Sequence, residues 1–163
     1  TRAILAMDMN NGIGKNGTLP WPRNSEDLKW FRECTKNHVV IMGRNTWDDS
    51  AMPKPLPNRY NVVVSDRAID SSDTRPNVLI KRDKVLDYIR TFEEAGKDVW
   101  IIGGAKLFNA TIKVVDEVWV SRIKNSYDCD TFIDIPNKFS IFEESKYYER
   151  NLFIEKYKAY RKK

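Results

Sequence analysis

Short apolar runs rich in β-branched residues recur along the chain and alternate with stretches of helical character. The predicted strands are residues 2–8, 38–42, 60–65, 77–81, 98–102 and 117–123, and the predicted helices are residues 25–36, 45–50, 83–95 and 105–112. The central strands are apolar on both faces, which is typical of a parallel sheet covered on both sides. This alternation predicts an α/β fold with a mainly parallel sheet.

The last part of the chain follows a different pattern. Residues 140–148 and 152–160 are extended segments that flank Glu149-Arg150-Asn151, and they predict an antiparallel hairpin. Among the helices, we expect Asp83 to cap the third and Gly96 to end it. A chain of 163 residues can bury about two-thirds of its unfolded surface, so we expect one domain over residues 1–163.

The positive charge of the chain is concentrated at its end. The formal net charge is +5, and residues 146–163 hold seven Lys or Arg against two Glu, which is the same surplus. The rest of the chain is formally neutral. Binding of an anion elsewhere must therefore depend on a local arrangement of groups rather than on overall charge.

Several classes of protein do not fit this sequence. No apolar run approaches the roughly 20 residues of a membrane span, and the N-terminal segment reaches Asp8 too early for a signal peptide. Cys34 and Cys129 form no metal-binding pair, so we expect free thiols, a cytoplasmic location and no metal. His38 is the single histidine, which disfavours a catalytic triad. We assign Cys34 and His38 structural roles.

Asp27 is the most informative single residue. At about 100° per residue, Phe31 and Cys34 fall within roughly 40° of it, which places the carboxylate on the apolar face of the first helix. One interpretation is an acidic residue that complements the helix dipole. The other is a carboxylate in an apolar cleft, with a raised pKa, that accepts paired hydrogen bonds from a flat heterocycle with adjacent N–H groups. The spacing leaves both open.

Three strand ends carry small, hydroxyl or cationic residues. They are Gly43, Arg44 and Thr46 after residues 38–42, Ser65 and Arg67 after residues 60–65, and Gly103-Gly104 before the fourth helix. Each alone is as typical of a tight turn or a solvated charge as of a site. Because the carboxyl ends of parallel strands meet at one edge of a sheet, together they predict a site for a phosphorylated dinucleotide. The usual glycine-rich dinucleotide and P-loop motifs are absent.

Residues 11–22 form a glycine-rich segment that ends in Leu19, Pro20 and Trp21. Its three glycines within six residues predict a mobile loop, and the apolar end predicts a lid that excludes water from a bound ligand. A plain connecting loop with a buried tryptophan is the alternative.

Taken together and in order, these stretches resemble the dihydrofolate reductase family along almost the whole chain. The matching segments are Gly12-Ile13-Gly14, Leu19-Pro20-Trp21, Asp27-Leu28, Trp30-Phe31, Val40-Ile41-Met42-Gly43-Arg44, Thr46-Trp47, Pro55-Leu56-Pro57-Asn58-Arg59, Val63-Val64-Ser65, Ile101-Ile102-Gly103-Gly104 and Asp130-Thr131. Each segment is weak evidence alone, but their order and spacing are highly specific.

The resemblance implies an eight-stranded mixed, mostly parallel sheet flanked by four helices, with a C-terminal antiparallel hairpin and an adenosine-binding subdomain over residues 38–97. It also implies NADPH-dependent reduction of 7,8-dihydrofolate to tetrahydrofolate, by hydride transfer to C6 and protonation at N5, which supplies one-carbon metabolism and thymidylate synthesis. The implied ligands are dihydrofolate and antifolates. We expect a monomer that binds neither nucleic acid nor membranes.

The resemblance further implies a substrate site around Asp27, which would bind the amino and ring N–H groups of the pteridine. Leu19 and Trp21 would assist catalysis from the loop. Arg59 would pair with the α-carboxylate of the glutamate tail. The other residues implied at the substrate are Ile4, Leu5, Leu28, Phe31, Leu56, Ile102 and Ser121.

The implied cofactor is NADPH. Ala6 and Ile13 would offer backbone groups to the nicotinamide carboxamide, and Gly103-Gly104 would form a cis diglycine beside it. The residues implied to hold its phosphates are Arg44, Thr46, Ser65 and Lys106. The remaining implied cofactor contacts are Gly14, Gly43, Asn45, Arg67, Lys81, Ala105, Leu107 and Phe108.

The sequence departs from the family pattern at a few positions. Phe108 stands where many members have Tyr, and Ser121 replaces a common Thr while it keeps the hydroxyl. Asp66 lies beside the implied 2′-phosphate site, where Arg67 would offset its charge, so the preference for NADPH over NADH stays open. Either Ala51 or Met52 would touch the substrate.

Two other functions are compatible with parts of the sequence. One is a related reductase that acts on another pterin or on a pyrimidine of riboflavin synthesis, although a substrate without a tail leaves Arg59 without a role. The other is nucleic-acid binding by the tail, with bases stacked on Tyr147, Tyr148, Tyr157 and Tyr160. On a hairpin, however, these rings would pack against the sheet.

Overall fold

The structure, a computed structural model, describes residues 1–15, 25–48, 55–66, 76–123, 126–147 and 152–159. The predictions for Leu19, Pro20, Trp21 and Arg67, the choice between Ala51 and Met52, and the turn of the C-terminal hairpin lie outside these residues.

Ten strands and four α-helices occur in the described part of the chain. The strands are β1 (Arg2–Met7), β2 (Gly12–Gly14), β3 (Val39–Gly43), β4 (Tyr60–Val64), β5 (Val78–Ile80), β6 (Val99–Ile101), β7 (Glu117–Ile123), β8 (Thr131–Phe132), β9 (Phe139–Tyr147) and β10 (Leu152–Ala159). The helices are α1 (Ser25–Thr35), α2 (Arg44–Asp48), α3 (Val85–Glu94) and α4 (Ala105–Thr111). None of these helices has the length and apolarity that a membrane span requires.

Eight strands form one sheet in the order β5-β4-β3-β6-β1-β7-β10-β9. All neighbours from β5 to β7 are parallel, and β10 is antiparallel to both β7 and β9. This confirms the predicted mixed, mostly parallel sheet and the predicted C-terminal hairpin. A second sheet, β2 paired with β8, was not predicted, because strands of two or three residues are too short to show a periodic pattern.

The central strands are apolar on both faces because each face packs into a separate core. Ile41 and Val62 face the core that also contains α3 and α4, whereas Val40 and Val63 face a core that contains Trp47 of α2. Alternate residues of one strand therefore enter different cores. The two cores hold the carboxyl ends of the strands at one edge of the sheet.

The prediction that Asp83 caps α3 is wrong. Asp83 lies in a 3-10 turn, Arg82–Lys84, and α3 begins at Val85 with Lys84 at its N-cap and no side-chain cap bond. The extra turn carries the chain from β5 into the helix and displaces the helix start. Gly96 does end α3, since its φ of +72° is in the region that glycine favours.

The C-terminal strands β10 and β9 extend the sheet beyond β7. Tyr157 of β10 packs on the core, and the Lys156 Nζ lies 4.0 Å from the centre of the Trp119 ring. Lys156 also pairs with Glu143 at 3.2 Å. Tyr157 and Lys156 therefore contact other parts of the protein, as expected if the tail aromatics pack rather than bind bases. The side chains of Tyr147, Tyr148 and Tyr160 lie outside the described part of the structure.

Candidate active site

A cavity of about 620 Å³ opens where β1, β3 and β6 end and where α1 and α4 approach the sheet. It brings together most of the predicted site residues. From the substrate set these are Ile4, Leu5, Asp27, Leu28, Phe31, Ile102 and Ser121. From the cofactor set they are Ala6, Ile13, Gly14, Arg44, Asn45, Thr46, Gly103, Gly104, Ala105, Lys106 and Leu107.

Asp27 projects from α1 into the apolar part of this cavity. Leu28 and Phe31 lie beside it on the same helix, and Ile4 of β1 lines the opposite side. Burial raises the pKa of the Asp27 carboxyl, and a hydrogen bond with the Ser121 side chain of β7 partly opposes that shift. Of the two interpretations of Asp27, the carboxylate in an apolar cleft is the one that fits.

Leu56 is held just outside the cavity by a buried asparagine. The side chain of Asn61 accepts from the Leu56 N–H at 3.0 Å and donates to the carbonyls of Leu56 at 3.0 Å and Arg59 at 2.9 Å. Asn61 is fully buried, so these bonds fix the turn that precedes β4. Leu56 does not line the cavity but packs in the core beside Phe31.

Arg59 lies at the outer end of the same region. Its guanidinium stands 5.6 Å from the centre of the Phe31 ring and donates to the Pro57 carbonyl and the Thr35 hydroxyl. Burial lowers the pKa of Arg59, and nearby Arg32 adds to the effect. Arg59 does not line the cavity, yet it contacts a residue that does.

Cationic and small residues occupy the other side of the cavity. Arg44 forms an ion pair with Asp48 at 2.8 Å, and exposed Lys106 lies on the first turn of α4. The Gly103-Gly104 peptide bond is cis, which confirms that prediction. Gly103 has a φ of +122°, a backbone conformation that residues with a side chain rarely adopt, so glycine is required at this position.

Four predicted cofactor residues do not line the cavity. Gly43 donates its N–H to the Gly103 carbonyl, and Ser65 is buried with its N–H on the Ile80 carbonyl. Lys81 is exposed, and Phe108 is fully buried in the core. A direct contact between these residues and a cofactor stays a prediction.

Three cavity residues were not predicted, namely Val64, Arg82 and Thr131. Thr131 follows Asp130 in a segment that matches the family, and Arg82 follows the predicted cofactor residue Lys81 at a strand end. The sequence therefore contained a weak indication that both residues lie near the site. Arg82 also contacts Asp66, although the preference for NADPH over NADH stays open. The Arg82 N–H donates to Asp66 Oδ1 at 3.1 Å and its Nε lies 3.6 Å from Oδ2, so Arg82 offsets the Asp66 charge.

His38 and Cys34 have the structural surroundings that we expected. His38 Nδ1 accepts a hydrogen bond from Trp100 Nε1 at 2.9 Å, which ties α1 and β3 to β6. Cys34 packs beside the second core, where burial raises its pKa to about 11. A thiol with that pKa is protonated at neutral pH and is a poor nucleophile.

Comparison with known proteins identifies the relatives of this chain. The family model for dihydrofolate reductase matches residues 1–162. Dihydrofolate reductase of Ureaplasma parvum serovar 3 is 35% identical over 147 residues, which cover 90% of each protein. Dihydrofolate reductase type 8 of Escherichia coli is 33% identical over 164 residues, which cover 99% of this chain and 95% of that one.

Among solved structures, a similar one is a dihydrofolate reductase from Enterococcus faecalis complexed with NADP(H) and RAB-propyl. It superposes with a TM-score of 0.77 at 26% sequence identity, over 97% of this chain and 95% of that chain.

The raised pKa of Asp27 has a consequence for stability. Above both its folded and its unfolded pKa, ionised Asp27 costs more in the fold than in the unfolded chain, so Asp27→Asn raises the free energy of unfolding at pH 7. This gain in the free energy of unfolding diminishes as the pH falls through the pKa that Asp27 has in the folded protein. It is absent well below the ordinary carboxyl pKa of 3.8. Urea denaturation at several pH values measures it.

The matched control is Asp134→Asn, because Asp134 is exposed. We expect this control to leave the free energy of unfolding nearly unchanged at every pH. Equal stability of the wild type and Asp27→Asn at pH 7 would show that the carboxylate is not desolvated.

Proposed function

The chain belongs to the dihydrofolate reductase family and reduces 7,8-dihydrofolate to 5,6,7,8-tetrahydrofolate with NADPH, and we propose that Asp27 is the residue that binds and activates the pteridine ring. One observation carries the proposal: a single cavity joins a desolvated carboxylate at one side to three cationic side chains at the other. The product is the folate form that serves one-carbon metabolism and thymidylate synthesis.

The surroundings of Asp27 suit a flat ring with adjacent N–H groups. Its two oxygens can accept two parallel hydrogen bonds, while Phe31 and Ile4 supply apolar contact to the ring faces. Asp27 is the single acidic side chain among the described residues that line the cavity. Its negative charge therefore favours a protonated ring, with the proton reaching N5 by way of water.

The opposite side of the cavity fits a long, anionic dinucleotide. Arg44 and Arg82, each paired with an aspartate, and Lys106 supply cationic N–H donors, and Thr46 supplies a hydroxyl. The Gly103-Gly104 backbone allows close approach. When bound there, NADPH supplies the hydride. We place its nicotinamide near Ala6, Ile13 and Gly14, and its adenosine over residues 38–97.

Arg59 is the proposed partner of the glutamate tail of the substrate. Its guanidinium is already oriented by Pro57 and Thr35 and stands over Phe31, at the edge of the pocket for the ring. A fixed guanidinium can bind a carboxylate through two hydrogen bonds with little loss of side-chain freedom. This arrangement supports folate over a pterin that lacks a tail.

We also propose that a single chain is the working unit and that it acts in the cytoplasm. The described residues of one chain already form both ends of the cavity, which supports a single chain as the working unit. Both cysteines of the chain are free thiols, which suits a reducing compartment.

The test of Asp27 is its pH dependence. Asp27→Asn keeps the shape but removes the charge, so we expect turnover of dihydrofolate at pH 7 to fall roughly 10²-fold or more. Part of the activity returns in acid, where the substrate arrives already protonated. Asp134→Asn should match the wild type, and undiminished turnover of Asp27→Asn at pH 7 would remove Asp27 from the mechanism.

A second test separates folate from a tail-less pterin. In Arg59→Gln, we expect KM for dihydrofolate to rise about tenfold, the effect of losing roughly 1.5 kcal/mol of charge-assisted hydrogen bonding. KM for a dihydropterin without the glutamate tail should stay unchanged. Arg90→Gln, at an exposed arginine of α3, is the control. If both KM values rise equally, Arg59 has a structural role instead.

A further inference from the structure

Among the described residues, three buried charged side chains have no part in the function proposed above: Asp8, Arg122 and Glu155, the partner of Arg122. Asp8, directly after β1, is completely buried, and Arg122 of β7 is 7% exposed. Burial of a charge costs free energy unless several hydrogen bonds compensate. The arrangement of those bonds indicates what Asp8 and Arg122 do.

The two oxygens of Asp8 bind two different segments. Oδ1 accepts from the N–H groups of Asn10 and Gly12, both at 2.8 Å, in the segment that leads into β2. Oδ2 accepts from the N–H of Tyr127 at 2.9 Å and from the Cys129 thiol at 3.5 Å, in the segment that leads into β8. We call this pair of connections the Asp8 clasp.

The charge state of Asp8 suits that role. Burial acts to raise the pKa of the carboxyl, but the backbone hydrogen bonds from Tyr127, Gly12 and Asn10 outweigh it, and the pKa is lowered. Asp8 is therefore ionised at neutral pH, where both oxygens act as acceptors.

Arg122 supports the clasp from the other side. Its guanidinium donates to the Asp8 carbonyl at 2.8 Å and to Asn11 Oδ1 at 2.6 Å, and its Nε donates to Glu155 of β10 at 2.9 Å. The turn between β1 and β2 is thus bound to the C-terminal hairpin as well as to the segment before β8.

The clasp lies directly behind one side of the cavity. β2 pairs with β8, with Gly14 opposite Thr131, and the Asp130 N–H donates to the Gly14 carbonyl at 3.0 Å. Ile13, Gly14 and Thr131 all line the cavity. They lie on the side of the cavity assigned above to the nicotinamide.

We propose that Asp8 is a positioning residue that holds Ile13, Gly14 and Thr131 in place for NADPH, with Arg122 as its support. This inference rests on the proposed function and adds a residue to it. It assigns the clasp to cofactor binding and leaves the pteridine end of the cavity independent of it.

The test is Asp8→Asn, which keeps the shape of the side chain. One acceptor oxygen becomes an NH2 group that faces N–H donors, so one of the two connections is lost while the packing is kept. We expect Kd for NADPH, followed by protein fluorescence, to rise about tenfold. Kd for a diaminopteridine antifolate without cofactor should change less than about twofold.

Two further variants complete the experiment. Arg122→Lys keeps the charge opposite Glu155 but loses the planar fork, so it should also weaken NADPH selectively, and it carries the test if Asp8→Asn does not fold. Ile89→Val, at a buried residue of α3, controls for a general loss of stability and should leave both Kd values unchanged.

The outcomes are distinct. Unchanged affinity for NADPH in Asp8→Asn, or an equal loss of affinity for both ligands, would overturn the clasp as a cofactor-positioning device. A wild-type protein that binds the antifolate but shows no affinity for NADPH would instead overturn the proposed function.

Discussion

The candidate site depends on the partial burial of one carboxylate, that of Asp27. Asp27 stands on the apolar face of α1 near Phe31, where burial raises its pKa and a hydrogen bond with the Ser121 side chain gives only partial compensation. Such a group is unfavourable for the empty protein and becomes favourable when a ligand offers N–H donors or a positive charge. The two cores hold α1 and β7 in place around Asp27. Packing in these cores therefore offsets the free-energy cost of the desolvated carboxylate.

The sheet also explains why anion-binding groups collect where they do. Parallel strands end at one edge, and the chain leaves β3 and β6 through residues that carry Arg44, Thr46 and the diglycine. The excess positive charge of the sequence lies elsewhere. Lys156 of the hairpin, for example, contacts Trp119 of β7 and pairs with Glu143 of β9. Individual cationic residues at the cavity, rather than the net charge of the chain, therefore define its anion-binding side.

Much of this could be predicted because it depends on local pattern. The apolar runs of β3 and β4 predicted a parallel sheet covered on both faces. Helical spacing predicted that Asp27 and Phe31 lie on the same face of α1. What could not be predicted depends on distant partners. In the sequence, Asp8 is only the last residue of a predicted strand, and nothing local indicates its donor Tyr127, which lies 119 positions away. The short pairing of β2 with β8 is hidden for the same reason, and the 3-10 turn before α3 misled the assignment of Asp83 as a cap.

The pKa of Asp27 can be measured directly by NMR titration of carboxyl-labelled aspartate, with Asp27→Asn used to assign the signal. We predict a pKa above the ordinary value of 3.8 in the free enzyme, and a lower one once a protonated diaminopteridine antifolate is bound. An Asp27 that titrates at its ordinary value in the free enzyme, or that does not respond to the bound ring, would contradict the account.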